Sequence, residues 1–202
     1  MSPRAYSMEK RGAAVAATRD RILEAARRVL AQDLDTELGM DAIARRADVS
    51  RLTIYYHFGS RPGLLEALFD YLRIRGNMQR IEEVVHERDS LVALGKLIHK
   101  LVGFWSSDPG VIRRLRAMAA LDPEIAKGMR ARDERRRRAV REIVRRAAAA
   151  RKKEPGQNLA ADVLFAVISF ETYDALARAG HSRETIIATI TRLARCAVGS
   201  ER

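Results

Sequence analysis

Between positions 51 and 57 lie four side chains with usable chemistry, Arg51, Thr53, Tyr56 and His57. A guanidinium, a hydroxyl, a phenol and an imidazole on one short helix can donate to phosphate oxygens and reach base edges. They fall in the second half of Gly39–Arg61. In the first half, Met40, Ile43, Ala44 and Ala47 recur at the spacing of one helix face. Asp48-Val49 interrupts that pattern. Ser50 can then cap a second helix, from about Arg51 to Phe58, by accepting a hydrogen bond from a first-turn N–H. Two helices across a short turn make a helix-turn-helix, whose second member enters the major groove. Leu52, Tyr55 and Tyr56 are large, and the segment is too short to bury all three on one stripe. Tyr55 is left open between packing under the head and gripping phosphate, while Phe58 is assigned to the core.

Other chemistries lack their residues. The four histidines, His57, His86, His99 and His181, are scattered, with no H-E-x-x-H and no paired cysteines to hold a metal. No glycine-rich phosphate loop and no nucleophile elbow occurs. The expectation is a protein that is not an enzyme, with no metal and no cofactor. Cys196 is the single cysteine, so no internal disulfide can form. That suits a reducing compartment, and a lone cysteine near a helix end reads as a small packed residue rather than a redox sensor. Thirty-eight basic against twenty-six acidic residues leave a net charge of +12, which suits a polyanion, nucleic acid before an acidic membrane. Met1–Lys10 has no apolar signal region and no run approaches a membrane span, so a soluble, cytoplasmic protein is expected.

The surrounding pattern is helical throughout. Proline is scarce, Ala, Arg, Leu and Glu dominate, and no alternating β-branched stretch supports a strand. Met1–Ala17 reads as a flexible basic arm that can order on DNA. Thr18–Ala31 is the first helix, with Ile22, Ala25, Ala26, Val29 and Leu30 on one face, and Gln32–Leu38 is a loop. Beyond Gly59, Ser60 can cap a helix that begins near Pro62 and extends as far as Val85. Leu91–Trp105, Val111–Leu121 and a long helix opened by Asp122-Pro123 follow. In that long helix Arg132 and Arg136 fall where apolar residues should continue. They read as a solvated mid-section with Asp133–Arg137 and Glu134–Arg138 pairs; the sharper alternative is an arginine lining a cavity for an acidic ligand. After a loop at Arg151–Gln157 come helices Asn158–Ala179 and Ser182–Val198. Leu159, Val163, Ala166, Val167 and Phe170 line one, and Ile186, Ile190, Leu193 and Ala197 the other. Leu164, Ile168, Ile187 and Ala194 lie off those stripes, so each helix needs two partners. The second is either the same pair from another chain or the interior of the monomer.

Ile43-Ala44, Ala47-Asp48-Val49-Ser50, Thr53-Ile54-Tyr55-Tyr56-His57-Phe58 and Ser60-Arg61 resemble the DNA-binding signature of TetR-type transcriptional regulators. Three positions depart from it. Gly39 replaces a Thr or Ser cap, Asp48 the turn glycine, and Arg61 a lysine. The resemblance implies an all-α fold, with a three-helix DNA-binding head at 18–62 and a helical effector-binding and dimerisation body at 63–202. It places Arg51, Leu52 and Thr53 at base edges and Tyr55, Tyr56, His57 and Arg61 at phosphates. It further implies a homodimer through the last two helices on a palindromic operator, a small apolar effector, and repression. Phe104, Trp105, Met118, Met129, Phe165, Phe170 and Tyr173 are the candidate effector lining. The rival reading is a basic, dimeric, architectural DNA binder that senses nothing.

Overall fold

The computed structural model describes residues 3–32, 39–79, 81–150 and 157–199. Among these residues it is all-α, with eleven helices: α1 (Pro3–Gln32), α2 (Met40–Ala47), α3 (Arg51–Phe58), α4 (Arg61–Arg75), α5 (Ile81–Val85), α6 (Ser90–Ser107), α7 (Pro109–Leu121), α8 (Pro123–Ala150), α9 (Gln157–Val167), α10 (Phe170–Arg178) and α11 (Arg183–Ala197). The expected loops at Gln32–Leu38 and Arg151–Gln157 lie almost wholly outside the described residues. None of these helices is long and apolar enough to cross a membrane.

The chain clusters into two compact units, Met1–Tyr71 with Gly110–Ile125, and Leu72–Pro109 with Ala126–Arg202. In the first, Ile22, Leu23 and Ala26 of α1, Ile43 of α2, Ile54 of α3, and Leu64 and Leu68 of α4 are shut off from solvent. Glu24 of α1 ties into this core. It pairs with Arg27 and Arg28 at 2.8 Å each and accepts from the Tyr71 hydroxyl of α4 at 3.1 Å. These partners, Arg27 foremost, hold its carboxyl down at about 2 against the opposing effect of burial.

Two expectations about this unit need correction. Residues 3–17 are not a flexible arm but the first half of α1. Ala13, Ala14, Ala16 and Ala17 are exposed there, so helix propensity rather than burial holds the segment. Nor does one helix run from Pro62 to Val85, because α4 stops at Arg75. Asn77 has φ of +53°, a left-handed turn that ends a helix. A Cβ on Gly76 would come within 2.6 Å of the Phe104 ring, so only glycine lets this turn lie against α6.

The second unit centres on α6, whose Ala93, Leu94, Leu97, Ile98, Leu101, Val102, Phe104 and Trp105 are buried. Asp89 caps it by accepting from the Leu91 N–H at 2.7 Å. Lys100 donates to the carbonyls of Asn77 and Gln79 ahead of α5. Arg146 of α8 donates to those of Val85, Glu87 and Arg88 behind it. A five-residue helix has too few internal bonds to stand alone, and these two cations hold its ends. Asp122 caps α8 as expected, accepting from Glu124 N–H at 2.9 Å.

The middle of α8 is not the solvated stretch expected. Arg136 is mostly buried, pairs with Asp133 at 3.3 Å and donates to the Ile168 carbonyl at 3.2 Å. Arg137 pairs with Asp162, not Asp133, and Glu134 with Arg141, not Arg138. Both Arg136 and Arg137 stack at 4.2 Å on the ring of Phe165. The long helix expected at Asn158–Ala179 is broken after Val167. Ser169 caps α10 by accepting from Thr172 N–H at 3.1 Å, while Arg136 takes up the carbonyl left by α9. The break shifts the helical phase and turns over the expected stripe of α9. Ala161, Leu164, Ile168 and Phe170 are buried, and Leu159 and Val163 are exposed. On α11, Ile186, Ile190 and Ala194 face inward while Leu193 is exposed. Cys196 is exposed rather than packed.

Candidate nucleic-acid interface

The local geometry of α2–α3 follows from single residues. Gly39 precedes α2 with no side-chain cap, as its lack of a side chain requires. Asp48 ends α2 at φ +52°, ψ +56°, a left-handed conformation that Asp tolerates better than most residues. The following N–H, from Val49, returns to the Ala44 carbonyl at 3.1 Å and closes the turn. Ser50 Oγ accepts from Thr53 N–H at 3.0 Å and lies 2.9 Å from Thr53 Oγ1. Gly59, at φ +73°, ends α3, and its N–H returns to the Tyr55 carbonyl. Ser60 then caps α4, accepting from Gly63 N–H at 3.1 Å.

One residue of α3, Ile54, anchors the helix, and it is completely buried. That single anchor decides which way the rest points. Leu52 and Tyr56 are 78% and 82% exposed, and Tyr55 is 37% exposed. Arg51 is exposed and pairs with Asp41 of α2 at 3.4 Å. Tyr55 and then Asp41 hold its guanidinium protonated more firmly than usual. Thr53, His57 and Arg61 are half-buried. The His57 ring meets Tyr56 edge-on at 5.6 Å. Arg61, in the first turn of α4, has a buried Nε without a hydrogen-bond partner. Phe58 is half-buried rather than core, with the Arg19 guanidinium 5.0 Å above its ring.

Arg51, Leu52, Tyr55 and Tyr56 are thus presented on α3, and the structure leaves large, partly apolar groups in water beside cations. A guanidinium and phenols can donate to phosphates, and a leucine tip can meet a thymine methyl. A shallow depression lined by Asp41, Ala44, Arg45, Asp48, Val49 and Arg51 adjoins this surface. Its acids, Asp41 and Asp48, were not singled out from the sequence, nor was Ile54. The signal for Ile54 was available: at i+4 from Ser50 it is the one aliphatic β-branched residue of a segment otherwise made of polar and amphipathic side chains. Gly63 was missed too, although a Cβ there would fall 2.2 Å from the Phe58 carbonyl oxygen.

Residues 22–68 match the model of the bacterial regulatory proteins of the tetR family. The chain is a TetR-family transcriptional regulator. This family comprises DNA-binding regulators, not enzymes. Among curated relatives, the nucleoid occlusion factor SlmA of Marinomonas sp. (strain MWYL1) is 30% identical over 102 residues, 50% of this chain and 51% of that protein. The chain spans about half the length of the curated relatives it matches. Solved TetR-family structures share the fold over most of the chain. A TetR transcription regulator from Haloarcula marismortui ATCC 43049 aligns at a TM-score of 0.71 and 18% identity, covering 92% of this chain and 98% of that one. The TetR-like regulator LfrR from Mycobacterium smegmatis, in complex with proflavine, aligns at 0.54 and 26% identity, covering 92% and 96%.

The candidate effector residues separate into groups. Trp105, Phe170 and Tyr173 are buried together, with ring centroids 5.9 to 6.4 Å apart. Phe104 and Met129 are also buried. Met118 and Phe165 are half-buried, Phe165 between its two arginines.

Proposed function

We propose that this TetR-family regulator binds a palindromic operator as a homodimer and is released from it by a small-molecule effector, acting as a repressor. The observation that carries the DNA reading is the exposure of Leu52 and Tyr56 on a helix pinned by Ile54 alone. Side chains of this size are left in water where a partner will cover them. Arg51, Leu52 and Thr53 read bases, and Tyr55, Tyr56, His57 and Arg61 hold phosphates. In this reading Arg51 leaves Asp41 for DNA, an exchange made easy by the small worth of an exposed ion pair.

The dimer reading is supported by Leu159, Val163 and Leu193, which are 70%, 42% and 42% exposed on α9 and α11, helices that pack against each other. A second copy of the same two helices is the self-complementary partner such a face takes. The effector reading is supported by the buried cluster of Trp105, Phe170 and Tyr173 beside other buried apolar residues, a lining suited to a flat or apolar molecule. LfrR, of the same fold, was solved with proflavine. Ligand would favour a body conformation that shifts α4 and changes the spacing of the paired heads.

Selection of DNA sequences by the purified protein, followed by binding to the winner and to random duplex at two salt concentrations, tests this. An enriched inverted repeat bound far above random DNA is expected. Uniform, salt-steep binding with no enriched site would refute it and favour an architectural role resting on the +12 charge.

A further inference from the structure

Helix α7 contains a charge that nothing answers. Val111, Ile112, Arg114 and Leu115 are all buried, and the arginine keeps 7% of its exposure. Its Nη1 is sealed from solvent without a hydrogen-bond partner. The residues three and four positions away along the helix are Gly110, Val111, Ala117 and Met118, none of them acidic. Other guanidiniums drawn into the protein are satisfied: Arg136 by Asp133 and the Ile168 carbonyl, Arg146 by three carbonyls. Arginine does not lose its proton in a protein, so Arg114 cannot escape the cost of burial by neutralising. Its planar fork fits a carboxylate or phosphate through two parallel hydrogen bonds.

We propose that Arg114 is the receptor for the anionic group of a small molecule, a carboxylate or phosphate carried on an apolar body. The apolar body follows from the neighbours, since Val111, Ile112 and Leu115 offer only aliphatic surface. The inference rests on the effector-release reading above and gives that effector a charge class. It also moves the search for an acid-binding arginine from Arg132 and Arg136 of α8 to α7.

Decanoate, decyl phosphate and decanol test it on the full-length protein, each below its micellar concentration and at constant ionic strength. Thermal stability and operator release are both measured. At least one anion raises the melting temperature saturably and well beyond decanol, and the better of the two identifies carboxylate or phosphate. Arg114→Met loses about ten- to a hundredfold of that affinity while its response to decanol is unchanged. Arg114→Lys, which keeps the charge but not the fork, serves as the second variant and binds the anion more weakly than wild type. Equal stabilisation of the wild type by decanol and both anions overturns the proposal, as does wild-type anion affinity in Arg114→Met. Anion binding through Arg114 that leaves the operator bound supports the site and refutes effector release by that site. Release by decanol alone, with no anion preference, supports effector release and overturns the anion site.

Discussion

Tyr56→Ala separates what holds the head together from what it holds. The phenol is 82% exposed and its one ring contact is edge-on with His57, so folding withdraws little of it from water. Its removal should therefore change stability by no more than about 0.5 kcal/mol. On DNA the same residue supplies one neutral hydrogen bond to phosphate, a net contribution of about 0.5–1.5 kcal/mol, or roughly two- to twelvefold in affinity. Because the phenol carries no charge, the slope of log affinity against log salt should stay at its wild-type value. Arg61→Ala is the matched control. It removes a cation, so its slope should fall in magnitude by about 0.9 on top of the affinity loss. Tyr56→Phe should reproduce most of the Ala effect, since the hydroxyl is the donor. Fluorescence anisotropy on the selected operator and on random duplex across a salt series, with thermal melts beside it, reads all of this. A stability loss above about 1 kcal/mol with DNA affinity untouched would refute the argument, because Tyr56 would then be structural. A salt slope altered as much as in Arg61→Ala would refute the assignment of an uncharged contact.

Arg51→Ala should relax preference at one base pair of the operator while lowering affinity for random DNA less than Arg61→Ala does; equal loss on both duplexes would remove it from base reading. Gly63→Ala drives a Cβ onto the Phe58 carbonyl oxygen and should destabilise the head by about 2–3 kcal/mol, seen as an earlier melt. Glu24 has a carboxyl pKa of about 2 in the fold against 4.5 for the free group, so its contribution is complete above about pH 5 and fades as pH falls toward 2. The gap in stability between wild type and Glu24→Gln should accordingly close across that window, and a gap independent of pH would show the ion pairs to be idle. Arg146→Met strips donors from the carbonyls of Val85, Glu87 and Arg88 and should cost about 1.5–3 kcal/mol, with faster amide exchange in α5 as the local sign.

The head was legible because its signals are local. Ser50, Ser60 and Gly59 state where helices begin and end, and Met40, Ile43, Ala44 and Ala47 all face inward as their spacing requires. Which large residue of α3 would anchor it was not legible. Eight residues hold barely two turns, and the choice of Ile54 depends on the shape of the core below it. In the body, periodicity gave helices but not their interruptions. The break at Ile168-Ser169 is sealed partly by Arg136, thirty-two residues earlier in the chain, a relation no local window contains. The same holds for α5, whose ends are held by Lys100 and Arg146 from other helices. A long-range hydrogen bond also explains why Arg136 sits in an apolar stripe, a placement that looked anomalous only while the partner was unseen.

The exposed tip formed by Leu52 and Tyr56 also sets how the protein behaves as a colloid. A chain carrying +12 charges repels its own copies in dilute buffer, and that repulsion keeps one apolar tip away from the next. At 1 M salt the screening length shrinks to about 3 Å, less than the width of a side chain, and the barrier is gone. The strong salt used to strip nucleic acid from a basic protein is therefore the condition under which these tips adhere, and turbidity should rise with salt in wild type more than in Leu52→Ser.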